Sequence, residues 1–123
     1  MNYSGKTALI ADDDNYSAYL LSALLKRIGF DSIIVENGIQ AVDTCRQHPE
    51  ISLIMMDLSM PEMNGIEATK VIKSFMPEIT IIAQTAYSIF GDKEKTIEAG
   101  CNAYLSKPID KDELYAAIDR LIK

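Results

Sequence analysis

The stretch LIMMDLSMPEMNGIEATKVIKSFM, residues 53–76, decides how the rest of the chain is read. Leu53, Ile54, Met55 and Met56 stand together without polar alternation, as expected of a strand buried on both faces. Asp57 follows directly and, taken alone, would do no more than open a turn. From about Ile66 the period changes: Ile66, Thr69, Ile72 and Met76 recur at helical spacing, and Pro77 stops the run. The stretch is one strand, one acidic loop and one helix.

The same alternation extends in both directions. Further strands are predicted at Thr7–Ala11, Ser32–Val35, Thr80–Ala83 and Ala103–Leu105, with the central one at Leu53–Met56. A first helix is expected over Asn15 to Ile28, with Leu20, Leu21, Leu24, Leu25 and Ile28 as its apolar face and Gly29 as its stop. A second is expected over Ile39 to Gln47, ending before His48-Pro49. The fourth falls on Asp92 to Ala99, with Ile97 and Ala99 apolar and a start as early as Ser88. Asp110 and Glu113 fit a capping box for the fifth, whose stripe is Leu114, Ile118, Leu121 and Ile122. Five strands alternating with five helices imply an α/β, doubly wound parallel sheet with helices on both faces. At 123 residues the chain is read as a single domain, 1–123.

Composition narrows the function classes. Hydrophobic residues at 48% and charged residues at 24% suggest neither disorder nor a membrane span. No apolar run approaches a spanning helix, and Met1 to Lys6 lacks the apolar centre of a secretory signal, so a cytoplasmic protein without membrane contact is expected. A formal charge of −6 disfavours direct nucleic-acid binding, which needs clustered Lys and Arg. Cys45 and Cys101 have no metal-ligand spacing and read as buried thiols or ordinary surface residues. His48, the one histidine, reads as a solvated helix end.

Open sheets of this class bind ligands beyond the carboxyl ends of the strands. The residues expected there are Asp12-Asp13-Asp14 after the first strand, Asp57 after the third, Thr85-Ala86 after the fourth and Ser106-Lys107-Pro108 after the fifth. Each has an ordinary explanation alone: Asp12 to Asp14 can cap a helix, Thr85 can close a turn, Lys107 can be solvated. Together they bring carboxylates, a hydroxyl and an ammonium to one sheet edge. Clustered carboxylates repel one another and are stable around a hard divalent cation, for which Mg²⁺ is the best fit. A carboxylate beside such a cation can attack phosphorus and form an acyl phosphate. Lys107 would neutralise phosphoryl oxygens, and the Thr85 hydroxyl would donate to one of them.

These residues resemble the response-regulator receiver domains of two-component systems. The resemblance runs from about Lys6 to Ile122, and its most specific part is the D-x-x-M-P-x-M-x-G pattern of Asp57 to Gly65. Asp12-Asp13, Thr85-Ala86 and Lys107-Pro108 match the remaining family positions. It implies a flavodoxin-like strand order 2-1-3-4-5, and phosphorylation of Asp57 by a phosphohistidine on a sensor histidine kinase or histidine phosphotransfer protein. It further implies Mg²⁺ ligation by Asp13, Asp57 and the Ser59 backbone carbonyl, with Asp12 acting through water, and a cis Lys107-Pro108 bond. Tyr104 takes the aromatic switch position, coupled to Thr85 and to the face of the fourth helix, fifth strand and fifth helix. That face is where a downstream partner or a phosphorylation-dependent dimer would form. Ser59 and Tyr87 flank the approach of an attacking water, and neither is acidic or an amide, which implies slow dephosphorylation.

The residues 82–87 and 99–108 look more like receivers of hybrid sensor kinases than like stand-alone regulators. A haloacid-dehalogenase-like phosphatase would need a D-x-D-x-T/V pattern where Asp12-Asp13-Asp14-Asn15 stands. A flavodoxin-type carrier needs a neutral phosphate loop there, not three aspartates. A receiver-like interaction module that takes no phosphate is the remaining alternative. The chain is not expected to be a separate enzyme.

Overall fold

The computed structural model of the chain describes residues 2–86 and 92–122. In chain order it contains β1 (Thr7–Ala11), α1 (Asn15–Arg27), β2 (Asp31–Val35), α2 (Gly38–Gln47) and β3 (Ile51–Asp57). There follow α3 (Gly65–Phe75), β4 (Thr80–Thr85), α4 (Asp92–Ala99), β5 (Ala103–Ser106) and α5 (Lys111–Leu121). The strands form one parallel sheet in the order β2-β1-β3-β4-β5. This is the doubly wound parallel arrangement expected from the alternation, with the flavodoxin-like strand order that the family resemblance implies.

Strand parity divides the core into two. Ala8, Ile10, Leu53, Met55 and Ile82 face one way and pack with Leu21 and Leu25 of α1 and Leu114 and Ile118 of α5. Leu9, Ala11, Ile54, Met56, Ile81 and Ala83 face the other way, against Val42 and Cys45 of α2 and Ala68 and Ile72 of α3. Both faces of the central strands are therefore covered, which is why they carry uninterrupted apolar runs. Cys45 and Cys101 are both buried thiols.

Three differences from the sequence reading have simple causes. Leu20, expected on the buried face of α1, is 39% exposed, because the stripe facing the sheet is Ala18, Leu21 and Leu25. Ile97 of α4 is likewise exposed, and Thr96 and Ala99 are the residues buried there. Strands β3, β4 and β5 each run further than their apolar residues, because pairing continues through Asp57 with Gln84 and Thr85 with Ser106. The alternative α4 start at Ser88 lies outside the described residues.

Helix starts follow side-chain chemistry. Asp14 caps α1, Asn37 caps α2 and Asn64 caps α3, each accepting a backbone N–H of its first turn. Asp110 caps α5 by accepting from the N–H groups of Asp112 at 2.8 Å and Glu113 at 3.1 Å.

Candidate functional site

Asp12 follows β1, Asp57 ends β3, and Lys107 follows β5, so the parallel sheet delivers all three to one edge. One carboxylate oxygen each from Asp12, Asp13 and Asp57 lies within 4.8 Å of the others. Lys107 Nζ bridges two of them, at 2.9 Å from Asp12 Oδ2 and 3.3 Å from Asp57 Oδ2. Three negative charges against one positive leave the cluster with an excess of two negative charges. Its donors are hard carboxylate oxygens, a set that fits a hard divalent cation.

The backbone fixes these side chains. Asp12 Oδ1 accepts from the N–H of Asp14 at 2.9 Å, and Asp57 Oδ1 from the N–H of Ser59 at 3.1 Å. The Lys107 N–H donates to the Thr85 carbonyl at 2.8 Å, tying the lysine loop to the end of β4. The Lys107–Pro108 peptide bond is cis. The loop after Asp57 closes through the Gly65 N–H on the Leu58 carbonyl at 3.2 Å. Glycine is required there: a Cβ on Gly65 would stand 2.3 Å from the Asp57 carbonyl oxygen. Gly38 has the same role against Met63, whose carbonyl accepts its N–H at 2.9 Å.

Burial shapes the electrostatics. Asp12 is fully buried and Asp57 nearly so, while Asp13 is exposed. Burial pushes the Asp57 carboxyl up to about 6, and the Asp12 charge acts in the same direction. The Ser59 N–H and Lys107 oppose the rise without cancelling it. For Lys107, burial works against the charged form, but the hydrogen bond it donates to Asp12 and the charges of Asp57 and Asp12 outweigh it and raise its pKa.

Of the residues singled out from sequence, Asp12, Asp13, Asp57 and Lys107 meet directly. Thr85 is buried at the end of β4. Tyr104 pairs with Ala83 in register and packs into the same core half, so strand parity puts it on the face that Thr85 shares. Ser59 is exposed in the loop beside Asp57. Tyr87 lies outside the described residues. The sequence reading missed Gln84, whose Nε2 donates to Asp12 Oδ2 at 3.4 Å. Its signal was a polar side chain ending the apolar run Ile81-Ile82-Ala83.

The model of the response regulator receiver domain matches residues 8–119, and the chain belongs to that family. It is 38% identical over 106 residues to the polar-differentiation response regulator DivK of Brucella anthropi, covering 85% of each chain. Among solved structures it is similar to the receiver domain of the sensor histidine kinase PA1611 of Pseudomonas aeruginosa, with 32% identity and a TM-score of 0.87. That match covers 97% of this chain and 98% of the other, whose active-site cleft coordinates a magnesium ion. It is also similar to a chain of the Saccharomyces cerevisiae co-crystal of the phosphotransfer protein Ypd1 with the Ssk1 receiver domain. There the identity is 28%, the TM-score 0.87, and the coverage 98% of this chain and 91% of that one. The chain is a receiver domain of two-component phosphorelay signalling.

Proposed function

We propose that Asp57 is the phosphoacceptor, taking a phosphoryl group from a phosphohistidine on a sensor histidine kinase or histidine phosphotransfer protein in the cytoplasm. The observation that carries this is the packing of three carboxylates within 4.8 Å, with Lys107 bridging Asp12 and Asp57. A carboxylate oxygen of Asp57 forms the new bond to phosphorus. The phosphorus–nitrogen bond of the donor breaks, and the imidazole nitrogen leaves with its electron pair. Asp13, Asp57 and the Ser59 carbonyl would hold Mg²⁺, with Asp12 acting through water. The ion supplies positive charge to the carboxylates and the phosphoryl oxygens. Lys107 neutralises a phosphoryl oxygen, and the Thr85 hydroxyl donates to another. The chain acts on its own carboxylate and is not a separate enzyme.

Acetyl phosphate with Mg²⁺ tests the assignment. Mass spectrometry should find one added phosphoryl group on the wild type and none on Asp57→Ala. An unmodified wild type would sink it. Ser59 and Tyr87 bring no acid or amide to orient a water, so the phosphorylated form should persist for minutes or longer. Decay within seconds would count against that part.

The switch reading couples Thr85 to Tyr104. Thr85, drawn toward the phosphoryl group, frees space for Tyr104 and changes the face of α4, β5 and α5, where a groove is lined by Ile97, Tyr104, Leu105 and Arg120. A Tyr104→Ala variant should bind its downstream partner with no dependence on phosphorylation. For the donor, a face is available on α1: Tyr16 and Tyr19 are 78% and 76% exposed, beside Leu20. Tyr16 and Leu20 also border the pocket that reaches Lys107 and Pro108.

A further inference from the structure

Gln84 is a fully buried amide at the end of an apolar strand. Strand alternation puts its side chain on the face of Ile82, covered by α1 and α5, and away from Thr85. Its Nε2 donates to Asp12 Oδ2 at 3.4 Å, the same oxygen that accepts from Lys107 Nζ at 2.9 Å. Its Oε1 is buried with no partner among the described residues. A methionine of similar shape would fill this space without leaving a polar atom unpaired. Its backbone is equally committed: Gln84 pairs with Asp57 in register, and its carbonyl accepts the Leu58 N–H at 3.1 Å. The side chain is thereby set relative to both buried carboxylates.

We propose that Gln84 is a positioning residue that keeps Asp12 in place when Lys107 turns to the phosphoryl oxygens, an inference that rests on phosphotransfer to Asp57. The Asp12 carboxylate is fully buried. Its Oδ1 is held by the Asp14 N–H at 2.9 Å, and its Oδ2 is shared between Lys107 and Gln84. A phosphoryl group on Asp57 competes for the Lys107 ammonium. Without the amide, Asp12 Oδ2 would then lose both of its side-chain donors, and a buried carboxylate so deprived swings away from its place beside the metal ligands.

Two measurements on Gln84→Met test the role. Phosphorylation by acetyl phosphate at saturating Mg²⁺ should fall about tenfold in maximal rate, within the range that a small misplacement costs. The donor concentration giving half that rate should not change. In metal-free protein, Gln84→Met alone should leave the thermal midpoint unchanged or raise it, because the unpaired oxygen is gone. In a Lys107→Ala background the same substitution should lower the midpoint by several degrees, because Asp12 Oδ2 then has no side-chain donor. Gln84→Asn, which withdraws the amide by one methylene, should reproduce the rate defect should the Met variant fail to fold. Wild-type maximal rates in both variants, or equal thermal effects in the two backgrounds, would overturn the proposal. A wild type that takes no phosphoryl group would instead overturn the assignment of Asp57.

Discussion

At Asp57 two demands conflict: a nucleophilic carboxylate has to be ionised, and a buried one resists ionisation. Its carboxyl is pushed up to about 6, against about 3.9 in an unfolded chain, so between these values the folded protein keeps a proton that the unfolded chain has lost. The stability this contributes is fully present below pH about 4 and is lost as pH rises through about 6. Metal-free wild type should therefore lose on the order of 2 kcal/mol relative to Asp57→Asn across that window, read from urea denaturation in EDTA. A gap that stays constant with pH would contradict the account, and Mg²⁺ should narrow it by favouring the carboxylate. Gly65 is decided by space alone, since a Cβ would meet the Asp57 carbonyl at 2.3 Å. Gly65→Ala should cost about 2 kcal/mol through forced movement of that loop and should slow phosphorylation as well. Wild-type stability and rate in this variant would show that the loop yields freely.

Among the elements, the helix starts are the clearest case of local chemistry setting a boundary. Asp110 accepts two N–H groups at the head of α5, and its acidic charge complements the helix dipole. Asp110→Ala should cost about 1 kcal/mol in urea denaturation and leave acetyl phosphate labelling of Asp57 intact, since the cap lies outside the carboxylate cluster. Most helix positions were legible because a cap or a stop marks them: Asp14, Gly29, Pro77 and Asp110 stand in the sequence itself. The faces were less legible. Five apolar residues of α1 look equivalent in the sequence, and only the sheet beneath selects Leu21 and Leu25 over Leu20. The strand ends were less legible as well, because Asp57, Thr85 and Ser106 are polar and their membership in β3, β4 and β5 comes from partners on neighbouring strands.

In the whole molecule, the site and the exposed apolar face of α1 adjoin, and this separates two kinds of donor. Tyr16→Ala and Leu20→Ala should slow phosphotransfer from a phosphohistidine protein by tenfold or so each, a typical loss for an interface anchor, while leaving labelling by acetyl phosphate unchanged. Equal losses with both donors would show that the substitutions disturb the site rather than the docking face. The sequence alone was enough for the order of elements, the parallel sheet and the candidate residues at its edge, because periodicity, caps and stops are local properties. Only the tertiary structure put Lys107 between Asp12 and Asp57, 95 and 50 positions away along the chain, and placed Gln84 behind the same carboxylate. Those relations depend on which strands lie side by side and on which face each side chain emerges, and neither is written in any short stretch of residues.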